Sequence, residues 1–406
     1  SMSSVDQRIR SLDKVRQLSF TNYCQGELVT LLSSERGKIA AQAQQQLQLP
    51  DLCLHCEGAT FTLSSCDGQM QVTTEETDDS CTLSLSPSAF SDLMQDLRSP
   101  IALALAGEAE ILRGDMQSFI DWQPIFRALL DGQAAYQSGD IRFHDQNGEP
   151  LDLQRSFSLD DLDEEISHFL TEAGFIHIRN VFTTEEMDQV YQDIDTAMEY
   201  YHPDDGRSWW AKTAKDEHRA VRLQYFHQHS AITRRLITDD RIQRIIALTD
   251  DGHQLDDLDS NIVEALIKPL NVVEGISDLP WHKDCSLGKH SYDCCSLTMG
   301  ICVTDADSES GAIAAVAGSH RCNIPSLGVK KDLDLPQRTL LASKGDITLH
   351  LSCTLHMSHA PTKAERRVMY LGFNLPGGNN SKKDEYTSSV RENASANVGR
   401  LSTSKP

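Results

Sequence analysis

Between residues 262 and 373 the chain carries five short apolar runs: Ile262–Leu270, Leu297–Val303, Ile313–Val316, Asp346–Leu351 and Val368–Phe373. Turn-forming stretches separate them, and runs this short between turn signals read as strands rather than helices. Several short strands bury their apolar faces most simply as two facing sheets. The expected fold here is therefore a double-stranded β-helix, a barrel of the jelly-roll or cupin type with flanking helices.

Composition narrows the partners. The 406 residues sum to a net charge of −23, with 39% hydrophobic and 24% charged residues. That balance is ordinary for a globular protein. The acidic field argues against nucleic acid or an anionic membrane surface as the main partner. No apolar run reaches the roughly 18 residues of a spanning helix, so stable membrane insertion is not expected. Ser1 ahead of Met2 is expected to take no part in the fold, and the opening residues lack the basic flank and apolar core of a secretory signal. Eleven cysteines are scattered without a framework, as expected for reduced thiols and a cytoplasmic location. Cys53-Leu54-His55-Cys56 is a C-x-x-C, but no second pair follows at zinc-site spacing, and core packing or a strand edge is the expected role. Oligomeric state is not legible.

Residues 2 to about 50 read as helix, rich in Ala, Gln and Leu from Ala40 to Leu49. From Leu52 the period changes to strand alternation. Thr60–Ser64 and Met70–Thr73 flank the hairpin signal Asp67-Gly68, and Cys81–Leu85 is a further strand. Ser86-Pro87 opens a helix, and an apolar run spans Pro100 to Ala106. Glu108 to Leu112 reads as strand, and Asp115 starts a last helix through Phe119, Trp122 and Phe126. On the Asp67-Gly68 hairpin, the Thr82-Leu83-Ser84-Leu85 strand and the passage from Ala104-Leu105-Ala106-Gly107-Glu108 to Leu112-Arg113-Gly114-Asp115, this region resembles the sterol carrier protein family. The resemblance implies an α+β lipid-carrier-like domain with an apolar cavity for a fatty chain or sterol. The same residues could instead form a filled core.

Five segments follow: 1–20 an N-terminal helix or tag, 21–135 the sterol-carrier-like domain, 136–156 a linker or capping hairpin, 157–376 the barrel domain, and 377–406 a flexible tail. Ser158-Leu159-Asp160-Asp161 signals a helix start, Gly174 its end, Phe175–Ile178 a strand, and Thr183-Thr184-Glu185-Glu186 a second capped helix. Residues 203–260 read as a polar lid or insert. The tail from Gly377, in Gly, Asn, Ser and Lys, cannot build a core.

Within the barrel segment, His282 and Asp284 are one residue apart, and on an extended strand such residues face the same side. With a second imidazole at His356 they would leave the opposite side of a metal open, as in non-haem Fe(II) oxygenases. The surrounding motifs occur in order: Glu172-Ala173-Gly174-Phe175-Ile176; Trp281-His282-Lys283-Asp284; Ser310-Gly311-Ala312 leading to Val316-Ala317-Gly318-Ser319-His320-Arg321; Lys344-Gly345-Asp346; and Leu355-His356-Met357-Ser358 followed by Arg366-Arg367. On these, residues 156–376 resemble the phytanoyl-CoA dioxygenase family of Fe(II)/2-oxoglutarate oxygenases. The resemblance implies His282, Asp284 and His356 as iron ligands and catalytic centre, with 2-oxoglutarate and O2 as co-substrates and succinate and CO2 released. Halogenating relatives carry a small residue where Asp284 stands, so hydroxylation or desaturation is expected. The far carboxylate of 2-oxoglutarate calls for an arginine fork. Arg366 and Arg367 alternate across a strand, so one faces the cavity; counting back from Phe373-Asn374 favours Arg366, with Arg367 in reserve and Ser358 adding a hydroxyl.

Trp209, Trp210 and Arg222 are candidates to line a substrate pocket, and Trp281 to pack beside it. His290, His350 and His359 are expected in packing or at the surface, and His320 in a structural hydrogen bond. A Ser/His/Asp hydrolase lacks its nucleophile-elbow sequence, and no phosphate loop is present. The expected protein is a 2-oxoglutarate-dependent hydroxylase of a hydrophobic small molecule (acyl, isoprenoid or sterol-like). The rival is a lipid-binding scaffold whose barrel holds metal without turnover.

Overall fold

The computed structural model describes residues 15–274, 280–287 and 296–375. The expected tail from Gly377 and His290 fall outside these residues. The first half is α+β, as its switch of period implies. Where one long helix was expected there are three, Phe20–Gln25, Glu27–Leu32 and Glu35–Leu47. Gly26, at φ −120° and ψ −95°, breaks the first from the second. Five strands follow: β1 (Leu52–Cys56), β2 (Ala59–Cys66), β3 (Gln69–Thr73), β4 (Cys81–Leu85) and β5 (Ala109–Arg113). They form one sheet in the order β3-β2-β1-β4-β5, with β1 and β4 parallel. Asp67 and Gly68 both take positive φ, the twist a two-residue hairpin demands.

The apolar run at 100–106 is the helix Pro100–Leu105, because Ser99 caps it by accepting from the Ala102 amide and Pro100 starts it. The helix begun at Asp115 is split at Trp122 into Met116–Asp121 and Gln123–Asp131. Leu52, Leu54, Leu83, Phe90, Phe119, Trp122 and Phe126 share one core between sheet and helices.

The second half is built on two sheets. Its strands are β6 (Phe157–Ser158), β7 (Phe175–Arg179), β8 (Ser208–Thr213), β9 (His218–Leu223), β10 (Val263–Lys268), β11 (Val272–Glu274), β12 (Leu297–Cys302), β13 (Ile313–Val316), β14 (Gln337–Thr339), β15 (Ile347–Leu351), β16 (His356–Ser358) and β17 (Arg366–Phe373). Nine form a large sheet in the order β11-β8-β9-β10-β17-β12-β15-β7-β6, and three form a small one, β14-β13-β16. All five expected strands are present. Residues 203–260 differ from expectation: β8 and β9 extend the large sheet, and the helices Ala231–Leu236 and Asp240–Ile246 bury Ile232, Leu236, Ile242 and Ile245 in the main core. Alternating apolar residues hidden among charges made this region look polar.

Strand alternation sorts the large sheet into two faces. Val263, Ala265, Ile267, Leu297, Met299, Ile301, Ile347, Leu349, Leu351, Met369, Leu371 and Phe373 pack in the main core, beside the flanking helices. Their alternates, including Lys268, Thr298, His350 and Arg366, point to the other face. The helix Asp163–Ala173 ends at Gly174, whose φ of +86° favours glycine. A Cβ there would meet His320 Nδ1 at 2.4 Å and the Thr354 hydroxyl at 2.7 Å.

His320 is buried and bonded through Nε2 to the Thr171 carbonyl at 2.8 Å. Burial pushes its pKa down to about 3. An unfolded histidine titrates near 6.5. Between those values the unfolded chain binds one proton more than the folded one, so stability rises with pH there and is lost as pH falls. We expect His320→Gln to reduce the pH dependence of the unfolding free energy by about one proton, about 1.4 kcal/mol per pH unit. Denaturant titrations at pH 4, 5 and 6 check this, and an unchanged slope would contradict it.

Candidate metal centre

His282 and His356 come from distant parts of the chain and meet as a backbone pair. Each donates its amide to the other's carbonyl at 3.0 Å, so their side chains leave the same face. Asp284 does not continue a strand, as the i, i+2 argument expected. It starts the single 3₁₀ turn Asp284–Leu287, and that turn swings its carboxylate back toward His282. Asp284 Oδ1 lies 3.2 Å from His282 Nε2 and 3.3 Å from His356 Nε2. The three donor atoms all lie within 4.8 Å of one another, a group able to hold a metal ion.

The remaining ring nitrogens are occupied. His282 Nδ1 bonds the Pro280 carbonyl at 2.7 Å, and His356 Nδ1 bonds the Thr354 carbonyl at 2.9 Å. A carbonyl only accepts, so each Nδ1 carries the hydrogen and each Nε2 presents a lone pair. Burial alone would raise the Asp284 pKa. His356, followed by His282 and His350, outweighs it and holds the carboxyl well below its ordinary range.

Sequence reasoning missed His350. Its Nε2 lies 3.1 Å from Asp284 Oδ2, and its ring is 4.1 Å from that of His356. The Thr298 hydroxyl reaches the same oxygen at 3.3 Å. The signal was present: on β15, Thr348 and His350 alternate with Ile347, Leu349 and Leu351, which places both opposite the core. Lys268 was missed too, although a lysine inside an apolar run is itself a flag. Its buried Nζ donates to Ser358 Oγ at 2.7 Å and to the His359 carbonyl at 2.6 Å.

Arg366 stands opposite Lys268 in the β10–β17 register and donates through Nη2 to the same Ser358 Oγ at 3.1 Å. Ser358 lies two residues beyond His356 on β16, and so on the same side. Arg366 is 2% exposed, and its Nε is buried without a hydrogen-bond partner among the described residues. An orphaned buried guanidinium nitrogen beside a lysine suits an anionic guest. Arg367 points elsewhere. It pairs with Asp195 at 2.8 Å and Glu365 at 3.2 Å, and lies 3.9 Å over the Tyr191 ring.

The remaining candidates separate. Trp209 sits under the Arg222 guanidinium at 5.0 Å, and Arg222 is ion-paired with Glu264. Trp210 lies against the main core instead, across from Ala220. Trp281 packs with Tyr136, Val316, Cys322, Ile324 and Leu355. Lys283, between two donors, is buried and donates to the Ser319 and Cys322 carbonyls at 2.9 and 3.3 Å.

The first half of the chain rests directly on this centre. Ser99 Oγ donates to the Ser286 carbonyl, and Gln123 Nε2 to the Ser286 hydroxyl at 3.2 Å. The Ser326 hydroxyl donates to Gln123 Oε1. Ile101, Ala104, Leu105 and Ile120 enclose Leu327, the backbone bridge partner of His282, with Leu287 alongside. Gln123→Ala would leave two buried hydroxyls without this partner, a cost of about 1–3 kcal/mol. We expect weaker ferrous-ion binding in that variant, by about tenfold, in titrations followed by intrinsic fluorescence. Unchanged affinity would show that the turn holds its shape alone.

Two facing sheets with a two-histidine, one-carboxylate centre between them and a buried arginine beside it define an iron- and 2-oxoglutarate-dependent oxygenase domain. Residues 170–368 match the family model of phytanoyl-CoA dioxygenase, so this part of the chain is a domain of that family. Iron, 2-oxoglutarate and O2 are the cofactor and co-substrates of such a domain, and the donor set fits them. Similar solved structures include the epimerase SnoN in complex with Fe3+, alpha ketoglutarate and nogalamycin RO, at 18% identity and TM-score 0.41 over 52% of this chain and 83% of that one. Another is EctD from S. alaskensis with 2-oxoglutarate and 5-hydroxyectoine, at 15% identity and TM-score 0.44 over 60% and 86%. A third is the carbocyclase SnoK from nogalamycin biosynthesis, at 19% identity and TM-score 0.39 over 54% and 87%. No curated protein sequence matches. Among the described residues no helix is long and apolar enough to cross a membrane.

Proposed function

We propose that the protein is a cytoplasmic Fe(II)/2-oxoglutarate-dependent hydroxylase of a hydrophobic small molecule, of fatty-acyl, isoprenoid or sterol-like type. The observation that carries the oxygenase reading is the convergence of His282 Nε2, His356 Nε2 and Asp284 Oδ1, with both Nδ1 atoms already engaged by carbonyls. Bound there, ferrous iron would supply oxidation of a substrate C–H bond at the expense of 2-oxoglutarate and O2. The chain's own side chains do the rest. His350 and Thr298 fix Asp284 through its second oxygen, and Lys283 ties the ligand segment to the 319–322 turn. Arg366, with Lys268 and Ser358, would hold the far carboxylate of 2-oxoglutarate. Arg222 and Trp209 would border the substrate. A carboxylate at position 284, where halogenating relatives have a small residue, supports hydroxylation. The sterol-carrier resemblance of residues 21–135 supports a hydrophobic substrate, delivered or retained by that domain.

The test is succinate release from 2-oxoglutarate on adding ferrous iron to the full chain with a panel of fatty-acyl, isoprenoid and sterol compounds, products read by mass spectrometry. Substrate-dependent succinate with a product one oxygen heavier is expected. A product without added oxygen would sink hydroxylation; no succinate with any compound would favour the metal-binding scaffold.

A further inference from the structure

The first half of the chain holds a second convergence of metal-binding donors, apart from the iron centre. Leu52, Leu54 and Cys56 of β1 face the domain core, so Cys53 and His55 project together from the opposite face of the sheet. The segment after β3 folds back over that face, pinned where the Thr62 hydroxyl donates to the Glu75 carbonyl at 2.5 Å. This brings Glu76 over β1. Cys53 Sγ, a His55 ring nitrogen and a Glu76 carboxylate oxygen then lie within 4.8 Å of one another.

Details of the three side chains suit a bound cation better than an ordinary ion pair. His55 Nε2 is 3.3 Å from Glu76 Oε2, yet it is buried and makes no hydrogen bond. Two ligands bonded at about 2.0–2.1 Å to a tetrahedral ion stand about 3.3 Å apart. Glu76 Oε1 faces Arg113 at 3.9 Å, which leaves Oε2 turned toward the histidine. Cys53 is flanked in register by Thr62 on β2 and Thr82 on β4. A bound metal ion would deprotonate the thiol outright.

We propose that Cys53, His55 and Glu76 form a binding site for a divalent, borderline-soft cation of the zinc class, with a fourth position left to water. The donor types set the class. One thiolate, one imidazole and one carboxylate suit Zn2+, whereas Mg2+ and Ca2+ prefer oxygen alone. Three protein ligands with an open fourth position is also the arrangement of sites where a zinc ion handles a ligand or a water.

Cobalt(II) reports the site, because a thiolate ligand gives it a near-ultraviolet charge-transfer band that a His/His/Asp centre cannot give. Titration of the full-length protein should show that band growing with one equivalent of cobalt, and added zinc should bleach it. The band should persist in His282→Ala, which disables the other centre. It should vanish in Cys53→Ser, and its cobalt affinity should fall at least about tenfold in His55→Gln and Glu76→Gln. The latter two act at side chains 33% and 36% exposed and guard against misfolding of the serine variant. 2-Oxoglutarate turnover should stay unchanged in both. Absence of the band from the wild-type protein, or its survival in Cys53→Ser, would overturn the assignment.

Discussion

Replacing His356 or Asp284 with alanine should lower 2-oxoglutarate turnover on the order of 10³-fold, about 4 kcal/mol of lost transition-state stabilisation. Two donors cannot hold an ion that three were arranged to hold. The fold should survive either change. His356 keeps its backbone bridges to His282 when the imidazole is removed, and Asp284 retains 30% side-chain exposure. Iron content by elemental analysis should fall with activity while the far-ultraviolet circular dichroism stays constant. Unchanged turnover in either variant would remove that residue from the centre.

Arg366→Lys should raise KM for 2-oxoglutarate about 10- to 100-fold while leaving kcat within a few-fold. A charge-assisted bond contributes about 1.5–3 kcal/mol, and lysine cannot reproduce the fork. Arg367→Lys should change KM little. Its guanidinium is held on the far side of the strand by Asp195, Glu365 and Tyr191. Initial rates against 2-oxoglutarate concentration decide the matter. A reversed pattern, with Arg367 controlling KM, would show that the orphaned Nε of Arg366 has another purpose.

The candidate metal donors were legible because the chemistry demands particular residue types, and those types stand inside ordered motifs. The route by which they meet was not. An i, i+2 argument placed His282 and Asp284 on one strand, whereas a 3₁₀ turn at Asp284 achieves the convergence. Strand positions were readable from apolar runs, and alternation on β15 could have exposed His350 had the period been followed residue by residue. The 203–260 region was misjudged because its buried isoleucines and leucines are spaced among arginines and aspartates. The helices Ala231–Leu236 and Asp240–Ile246 show that a narrow apolar stripe suffices when a large sheet lies beneath. Gln123 carried no local signal, and the Ser99-Pro100 helix start says nothing of the bond Ser99 makes to Ser286. Their partners Ser286 and Ser326 lie far along the chain, and only tertiary packing reveals such a bond.

The seam between Gln123, Ser99 and the Asp284–Leu287 turn has a mechanical consequence. Hydrogen bonds and a shared apolar cluster join this half of the chain to the ligand-bearing turn, unlike two units strung on a loose tether. Strain felt at one end of that joint would reach the Asp284 carboxylate, two residues from Ser286.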